Sequence, residues 1–471
     1  MNKKMTASRV VATHEDTIID IVKKQHTYFK SGKTRSYQSR IESLNRLKSA
    51  LVKYQDKLNQ ALKQDLGKPE FEAYLTETGF TLHEITVTKK KLKRWMRPKR
   101  VPTSLLAQPG RSQIRYSPLG VNLIISPYNY PINLTFSPLI AAIAAGNTAV
   151  LKTSEMTPAC SSVIHELISE HFPPEHIAHI EGEVRETTIL LQQKFDHIFF
   201  TGSPPVGSII MSAAAKQLTP VTLELGGKSP CIVHEDANLD IAAKRIVNGK
   251  FLNAGQTCVA PDYLLVHKNI KEALLAKLKE RIVEVYGENP IHSPDYGRII
   301  NQAHFERITG LIDPEKVVVG GQSNPDELYI APTVTHDVNL TDKVMSEEIF
   351  GPVLPVLEYT SLHEVHETID QLPHWPLACY LYTEDAGIQN ELIDTIQFGG
   401  ACINNCVFHL ANHHLPFGGV GQSGMGSYHG LHGFECFSHK KAVLRSTTLF
   451  DIPLAYPPYG NKIKFLKKIM R

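Results

Sequence analysis

Val121-Asn-Leu-Ile-Ile-Ser-Pro-Tyr-Asn-Tyr-Pro131 runs through Ile132–Ala145 into Gly146-Asn-Thr-Ala-Val-Leu-Lys152. Val121–Ser126 is a short apolar run, the pattern of a buried strand. Pro131 opens the apolar segment Ile132–Ala145, read as a helix that Gly146-Asn147 ends. Thr148–Lys152 reads as a second strand. The alternation continues with a helix at Pro158–His171, a strand at Ile177–Ile180 and a helix near Thr187–Gln193. A strand at Phe195–Phe200, a helix at Val206–Gln217 and a strand at Val221–Leu225 complete it. Strand, helix and strand at this pitch predict a parallel sheet wound by right-handed crossovers. Such sheets bind ligands beyond the carboxyl ends of their strands. The polar and glycine residues to weigh there are Asn129, Lys152, Glu155, Gly202 and Ser203.

Outward from this sheet the fold class stays α/β. Residues 15–95 read as helical, with Ile41, Leu44, Leu47, Leu51, Leu58 and Leu62 at roughly helical spacing and Gly67 with Pro69 as the stop. The basic stretch Lys89–Arg100 reads as a solvated helix end rather than a nucleic-acid patch, since only Trp95 could serve as an aromatic platform. After Glu224 a second α/β region extends to about residue 430, with glycines dense from Gly418 to Gly426. Residues 437–471 hold extended-looking segments, then Tyr456-Pro-Pro-Tyr459 and the basic, apolar tract Lys462–Arg471.

A chain of 471 residues with 42% hydrophobic content can bury a large core in two or three domains. The 50 basic and 47 acidic residues nearly balance, so no general pull towards nucleic acid is expected. Seven scattered cysteines are an odd, sparse set that does not read as a disulfide framework. A reducing, cytoplasmic setting fits them. Basic Met1–Thr6 has no apolar run behind it, so no signal peptide is expected. No apolar run is long enough to suggest a membrane span.

The chemistry gathers on two glycine-marked turns. Cys258 stands in Phe251-Leu-Asn-Ala-Gly-Gln-Thr-Cys-Val259, and Glu224 in Val221-Thr-Leu-Glu-Leu-Gly-Gly-Lys228. A thiol nucleophile and a carboxylate base suit acyl chemistry through a thioester. A carbonyl attacked by thiolate becomes an oxyanion that needs donors in place, and the Asn129 amide could serve. Taken singly, each has a plain reading: Cys258 as a small hydrophobe, Asn129 as a turn between prolines. Lys152 with Glu155 could hold sugar hydroxyls or form an ordinary ion pair. Phe199-Phe-Thr-Gly-Ser-Pro-Pro-Val-Gly207 lacks the GxGxxG pattern, yet its amides and the following helix start could face a pyrophosphate. His409, His413 and His414 lack the partners of a zinc site, and Cys402 with Cys406 is no CxxC pair, so no metal is expected.

Taken together and in this order, these segments resemble the NAD(P)-dependent aldehyde dehydrogenase superfamily over nearly the whole chain. The matching motifs are Leu223-Glu-Leu-Gly-Gly-Lys-Ser-Pro230, Gly255-Gln-Thr-Cys258, Glu347-Glu-Ile-Phe-Gly-Pro352 and Pro416-Phe-Gly-Gly-Val-Gly-Gln-Ser-Gly424. Ser423–Gly430, Phe437–Val443 and Tyr456–Tyr459 resemble its class 3 and fatty aldehyde dehydrogenase branch, as do Asn404, His409 and Leu415-Pro-Phe417.

The resemblance implies a Rossmann-like parallel-sheet cofactor domain (1–100 and 117–224) and a second α/β catalytic domain (225–430). It implies a small bridging β-element for oligomerisation with the C-terminal tail (101–116 and 431–471). Cys258 is then the nucleophile and Glu224 the base that activates water. Asn129 with the Cys258 backbone N–H forms the oxyanion hole. Lys152 and Glu155 contact the adenosine ribose, and Gly202, Ser203 and Val206 lie by the pyrophosphate. Glu348 holds the nicotinamide ribose, and Phe350 packs beside the nicotinamide. Three positions depart from common relatives: Tyr128 for Trp, Pro204 for Thr, and Asn405 for Asp. They touch pocket shape and cofactor grip, not the catalytic groups.

The implied reaction is oxidation of an aldehyde, medium- or long-chain aliphatic or aromatic, to the acid through a thiohemiacetal and a thioester on Cys258. The thiolate is expected to need positive potential or helix amides. A carboxylate at Glu155 leans the cofactor towards NAD, with NADP admitted. A coenzyme-A-acylating relative is the alternative that Glu224 argues against. A non-catalytic scaffold on the same fold is the alternative that intact Cys258, Glu224 and Asn129 argue against, and a membrane-surface protein is an alternative that rests only on the tail. A homodimer is expected, with 437–459 pairing against a hairpin near 101–116 of the neighbour. The tract Lys462–Arg471 is expected as a terminal helix docked on the fold, with weak membrane-surface contact as the other reading.

Overall fold

The structure is a computed structural model that describes residues 12–372, 375–451 and 456–469. Met1–Thr6, expected to carry no signal peptide, lies outside the described residues. The opening stretch folds as read. Val121–Ile125 is a strand with every residue buried, and Asn133–Ala145 is a helix closed by Gly146 in the left-handed region. The strands Thr148–Lys152, Ile177–Ile180, His197–Thr201 and Val221–Glu224 follow. Four successive parallel pairings join them in the order Ile177–Ile180, Thr148–Lys152, Val121–Ile125, His197–Thr201, Val221–Glu224. The strand order reverses between Val121–Ile125 and His197–Thr201. Their carboxyl ends therefore diverge into a crevice. Helices on both faces leave these strands almost wholly buried.

Two bounds shift. The helix expected from Val206 begins at Pro204, because proline lacks the N–H that a first helical turn leaves unused and already holds a helical φ. The helix near Thr187 begins at Val184, where Glu183 and Glu186 form a reciprocal cap. Gly424–Met425, from the stretch expected in the second unit, adds an antiparallel strand beside Val221–Glu224.

A second sheet of seven strands is centred on Tyr263–His267 and Pro230–Val233. Its main strands are parallel, with the helices Leu239–Phe251 and Lys271–Tyr286 packed together beside them. A third, small sheet joins Lys99–Val101, Arg111–Pro118 and Ser438–Arg445. The expected pairing of the tail with a neighbour's hairpin is met within the chain instead. Ser438–Arg445 lies antiparallel to Arg111–Pro118, with Ser438 opposite Pro118. The short helix Gly430–Cys436, packed on Asn133–Ala145, delivers the tail directly to that strand.

The helical region 15–95 holds Glu15–Lys30, Tyr37–Leu66 and Gly79–Trp95. Gly67 ends the second in the left-handed conformation, as the sequence indicates. A π-helical turn, Tyr74–Thr78, precedes the third. Within the basic stretch, Trp95 is buried against Phe434 and Lys99 enters the small sheet. The helix Lys462–Ile469 is not docked as expected, since Ile463 and Phe465 stand exposed. No helix among the described residues is long and apolar enough to cross a membrane.

Candidate active site

The helix Leu239–Phe251 ends in a turn with an unusual backbone. Asn253, Ala254 and Gly255 take φ of 53°, 52° and 74° in succession. Side chains other than glycine disfavour this region, so the turn stores strain that its surroundings must hold. Gln256 does much of the holding. Its Nε2 donates to the carbonyls of Asn253 at 3.0 Å and Arg298 at 2.9 Å, and its Oε1 accepts from the Ile300 amide at 3.0 Å. Gly255 lies so close to Gly351 that a Cβ would stand 2.2 Å from its carbonyl oxygen.

Cys258 emerges half-buried from this turn. Burial pushes its thiol well above the ordinary range, and the Glu348 and Glu224 carboxylates push the same way. The Cys258 and Val259 amides pull it back. The expected help is thus present as backbone amides. The charged groups that move the thiol are carboxylates rather than cations.

Glu224 ends its strand, 1% exposed, and neither carboxylate oxygen meets a hydrogen-bond partner among the described residues. Burial raises its pKa well above the usual carboxylate range. A carboxylate in so dry a place has high proton affinity, the property of a general base. Asn129 donates through Nδ2 to the Gln256 carbonyl at 3.0 Å, which ties its loop to the thiol turn.

One cavity of about 800 Å³ is lined by all ten residues singled out from the sequence: Asn129, Lys152, Glu155, Gly202, Ser203, Val206, Glu224, Cys258, Glu348 and Phe350. It opens at the crevice where the strand order reverses. Lys152 is buried and its ammonium stands 3.6 Å from Glu155, whose carboxylate is partly exposed. Burial lowers the Lys152 pKa, and Glu155 opposes the change. The helix Pro204–Ala215 starts at Ser203, whose side chain makes no cap bond; Pro204 and Pro205 carry no N–H, so among the first three helical residues only Val206 has an amide to offer a ligand. Glu348 is raised to about 8, by burial first and Asp262 next, against the Gly227 amide, Lys228 and Lys250. Its loop is fixed by the buried Lys228–Asp262 pair at 2.5 Å. Lys228 also donates to the Val344 and Glu347 carbonyls, and Asp262 accepts from the Ile349 amide.

The lining suits a nicotinamide dinucleotide. Tyr128 Oη, Thr201 Oγ1 and both Glu224 oxygens are buried there without a protein partner among the described residues. Polar atoms left so call for a polar ligand or water. Partly open Glu155 and the Val206 amide at the helix start match a ribose and a phosphate in chemistry.

Several lining residues escaped the sequence reading as site residues. Tyr128 appears there only as a departure, and His304 and Arg307 not at all. Arg307 donates to Glu347 and to the Ile349 carbonyl, bracing the Glu348 loop. Neither sits in a glycine-marked turn, so no local signal exposed them. Asn253 lay inside the quoted cysteine segment, and its left-handed φ was the missed clue. His409 and His413 join a ring cluster with Tyr380, Phe417 and His429. Among the described residues no group of His, Cys, Asp and Glu could hold a metal ion.

The comparisons with known proteins agree with this geometry. The aldehyde dehydrogenase family model matches residues 2–443. The chain is 47% identical to the 4,4'-diaponeurosporen-aldehyde dehydrogenase of Staphylococcus aureus, over 94% of this chain and 97% of that one. It is 44% identical to the dimeric NADP-preferring aldehyde dehydrogenase of Rattus norvegicus, over 95% of this chain and 99% of that one. The solved substrate-bound state of Staphylococcus aureus AldH superposes with a TM-score of 0.94 at 46% identity, covering 96% of this chain and 99% of that one. The chain belongs to the aldehyde dehydrogenase family and is an NAD(P)-dependent oxidoreductase of aldehydes.

Proposed function

We propose that Cys258 carries the acyl group, Glu224 deacylates it and Asn129 receives the oxyanion. The observation that carries this reading is Glu224, an unpartnered buried carboxylate lining the same cavity as a half-buried thiol. Cys258 Sγ attacks the aldehyde carbon, and the carbonyl oxygen takes the negative charge. The Asn129 side-chain amide and the Cys258 N–H stabilise that charge. NAD(P)+, held against Lys152, Glu155, Gly202, Ser203, Val206, Glu348 and Phe350, would supply the acceptor for the hydride that leaves the former aldehyde carbon, so that the oxyanion on Cys258 collapses to a thioester. Glu224 then takes a proton from water as the water oxygen bonds the thioester carbon. The C–S bond breaks, the carboxylic acid leaves, and Cys258 is free again.

Replacing Glu224 with Gln tests this division of labour. The Glu224→Gln enzyme should give one burst of reduced cofactor per site and then stall, while Cys258→Ala gives none. Steady turnover at the wild-type rate by Glu224→Gln would remove Glu224 from the role.

Finer points rest on the same frame. The Tyr128 and Phe350 rings, 5.9 Å apart edge to face near the thiol, favour aromatic or medium- to long-chain aliphatic aldehydes. Glu155 favours NAD over NADP. The name of the rat relative and the open edge strand Ser438–Arg445 support a homodimer, which sedimentation tests. Seven free cysteines suit the cytoplasm, which cell fractionation tests. Exposed Ile463 and Phe465 among lysines suit weak membrane-surface contact by the tail. Co-sedimentation with anionic vesicles, with and without residues 460–471, tests that contact.

A further inference from the structure

Beneath the Asn129 loop lies an ion pair that the mechanism above does not use. Lys68 and Glu77 have fully buried side chains, and their charged atoms are 2.6 Å apart. Isolated buried pairs contribute little to stability, so a pair kept here invites another role. Lys68 Nζ also donates to the backbone carbonyl of Asn129 at 3.1 Å and sits 4.2 Å over the Tyr130 ring. The second oxygen of Glu77 accepts the amides of Ile132 at 3.0 Å and Asn133 at 2.9 Å. One pair thus grips the chain on both sides of Tyr130-Pro131.

The grip reaches the thiol turn by separate links. Asn253 Nδ2 donates to the same Asn129 carbonyl at 2.9 Å. Tyr130 Oη and Thr257 Oγ1 are hydrogen-bonded at 2.6 Å. Glu77 itself stands in the π-helical turn Tyr74–Thr78. Such turns are rare and recur at functional sites.

We propose that Lys68 and Glu77 are positioning residues that hold the Asn129 amide where the oxyanion forms. Lys68 fixes the Asn129 carbonyl, Glu77 fixes Lys68 and the two amides that follow, and the side chain of Asn129 is left with little freedom. The inference rests on Asn129 as the oxyanion donor.

The test uses 4-nitrophenyl acetate on the full-length chain without cofactor. The Cys258 sulfur bonds the acetyl carbon, the ester C–O bond breaks, and 4-nitrophenolate leaves with the electron pair. This acylation reads thiol reactivity and oxyanion stabilisation together, with no hydride step, and alkylation reads thiol reactivity without an oxyanion. In Lys68→Met/Glu77→Gln neither member of the pair leaves the other's charge behind, buried Glu72 loses the Lys68 charge that favours its ionised form, and an oxygen remains for the Ile132 and Asn133 amides. Glu77→Gln alone is the companion that keeps the Lys68 bond to the Asn129 carbonyl while leaving the buried ammonium without its carboxylate.

The double variant should acylate about tenfold or more slowly, within the loss of about 10²- to 10³-fold expected for Asn129→Ala. Glu77→Gln should lie between it and the wild type. Adding Asn129→Ala to the double variant should cost little more than Asn129→Ala alone. Alkylation of Cys258 by iodoacetamide, which forms no oxyanion, and the dissociation constant for NAD should stay within about twofold.

Wild-type acylation in both variants, losses that multiply with Asn129→Ala, or an equal fall in alkylation would each overturn the proposal. Full acylation in Asn129→Ala itself would instead remove Asn129 as the donor.

Discussion

Asn129 Nδ2 reaches the carbonyl of Gln256, two residues before the thiol, at 3.0 Å. The bond uses one of the two amide hydrogens and leaves the second for the reaction. Asn129→Ala should lower kcat by about 10²- to 10³-fold with NAD affinity unchanged. Steady-state kinetics beside a cofactor titration checks both.

Burial raises the Glu224 pKa well above the ordinary carboxylate range. Its base form therefore grows as pH rises beyond the range in which ordinary carboxylates ionise. Hydrolysis of the acetyl-enzyme should speed up with rising pH and level off where Glu224 is fully ionised. In Glu224→Gln it should be slow and lack this rise. A pH series of single-turnover deacylation rates decides.

Glu84 is fully buried beside Ser137, and burial pushes its pKa up to about 7. The folded state then holds its proton more tightly than the unfolded chain does. The stability this gives is complete below about pH 4 and is lost as pH climbs towards 7, by about 3 kcal/mol in all. Glu84→Gln keeps the shape and removes the loss. Its Tm should exceed that of the wild type at pH 8 by more than at pH 5, as calorimetry at the two values would show.

Gly255 has φ of 74°, and an added Cβ would sit 2.2 Å from the Gly351 carbonyl oxygen. Backbone rather than a yielding side chain blocks that space. Gly255→Ala should cost about 2 kcal/mol or more in stability and, by displacing the thiol, about 10²-fold in kcat. Denaturant melts and kinetics on the folded fraction separate the two effects.

The proposed place of Glu155 beside the adenosine ribose would set its carboxylate against a 2′-phosphate. Glu155→Gln should improve kcat/KM with NADP by about tenfold relative to NAD. An unchanged ratio would show that Glu155 does not set the preference.

Much of this was legible in the chain itself. Val121–Lys152 announces strand, helix and strand because buried parallel strands are apolar on both faces and Gly146 stops the helix. Glu224, Cys258 and Asn129 are legible because reactive groups ride on turns, and turns need Gly, Pro and Asn at particular places. Lys68, Glu77, His304 and Arg307 were illegible. Glu77, His304 and Arg307 lie on helical turns, and Lys68, between Gly67 and Pro69, reads only as a helix stop; their meaning comes from what folding sets beside them.

By itself, then, the sequence determined the parallel α/β sheet, the family and the ten residues of the cleft. Periodicity and turn chemistry are local properties, and motif order is written in the chain. Only the tertiary structure decided that the tail pairs with Arg111–Pro118 of its own chain and that the terminal helix stays off the body. Only it showed that carboxylates, not cations, surround the thiol, and that one buried ion pair underlies Asn129. Those facts depend on burial and on contacts between residues far apart in sequence, which no local pattern encodes.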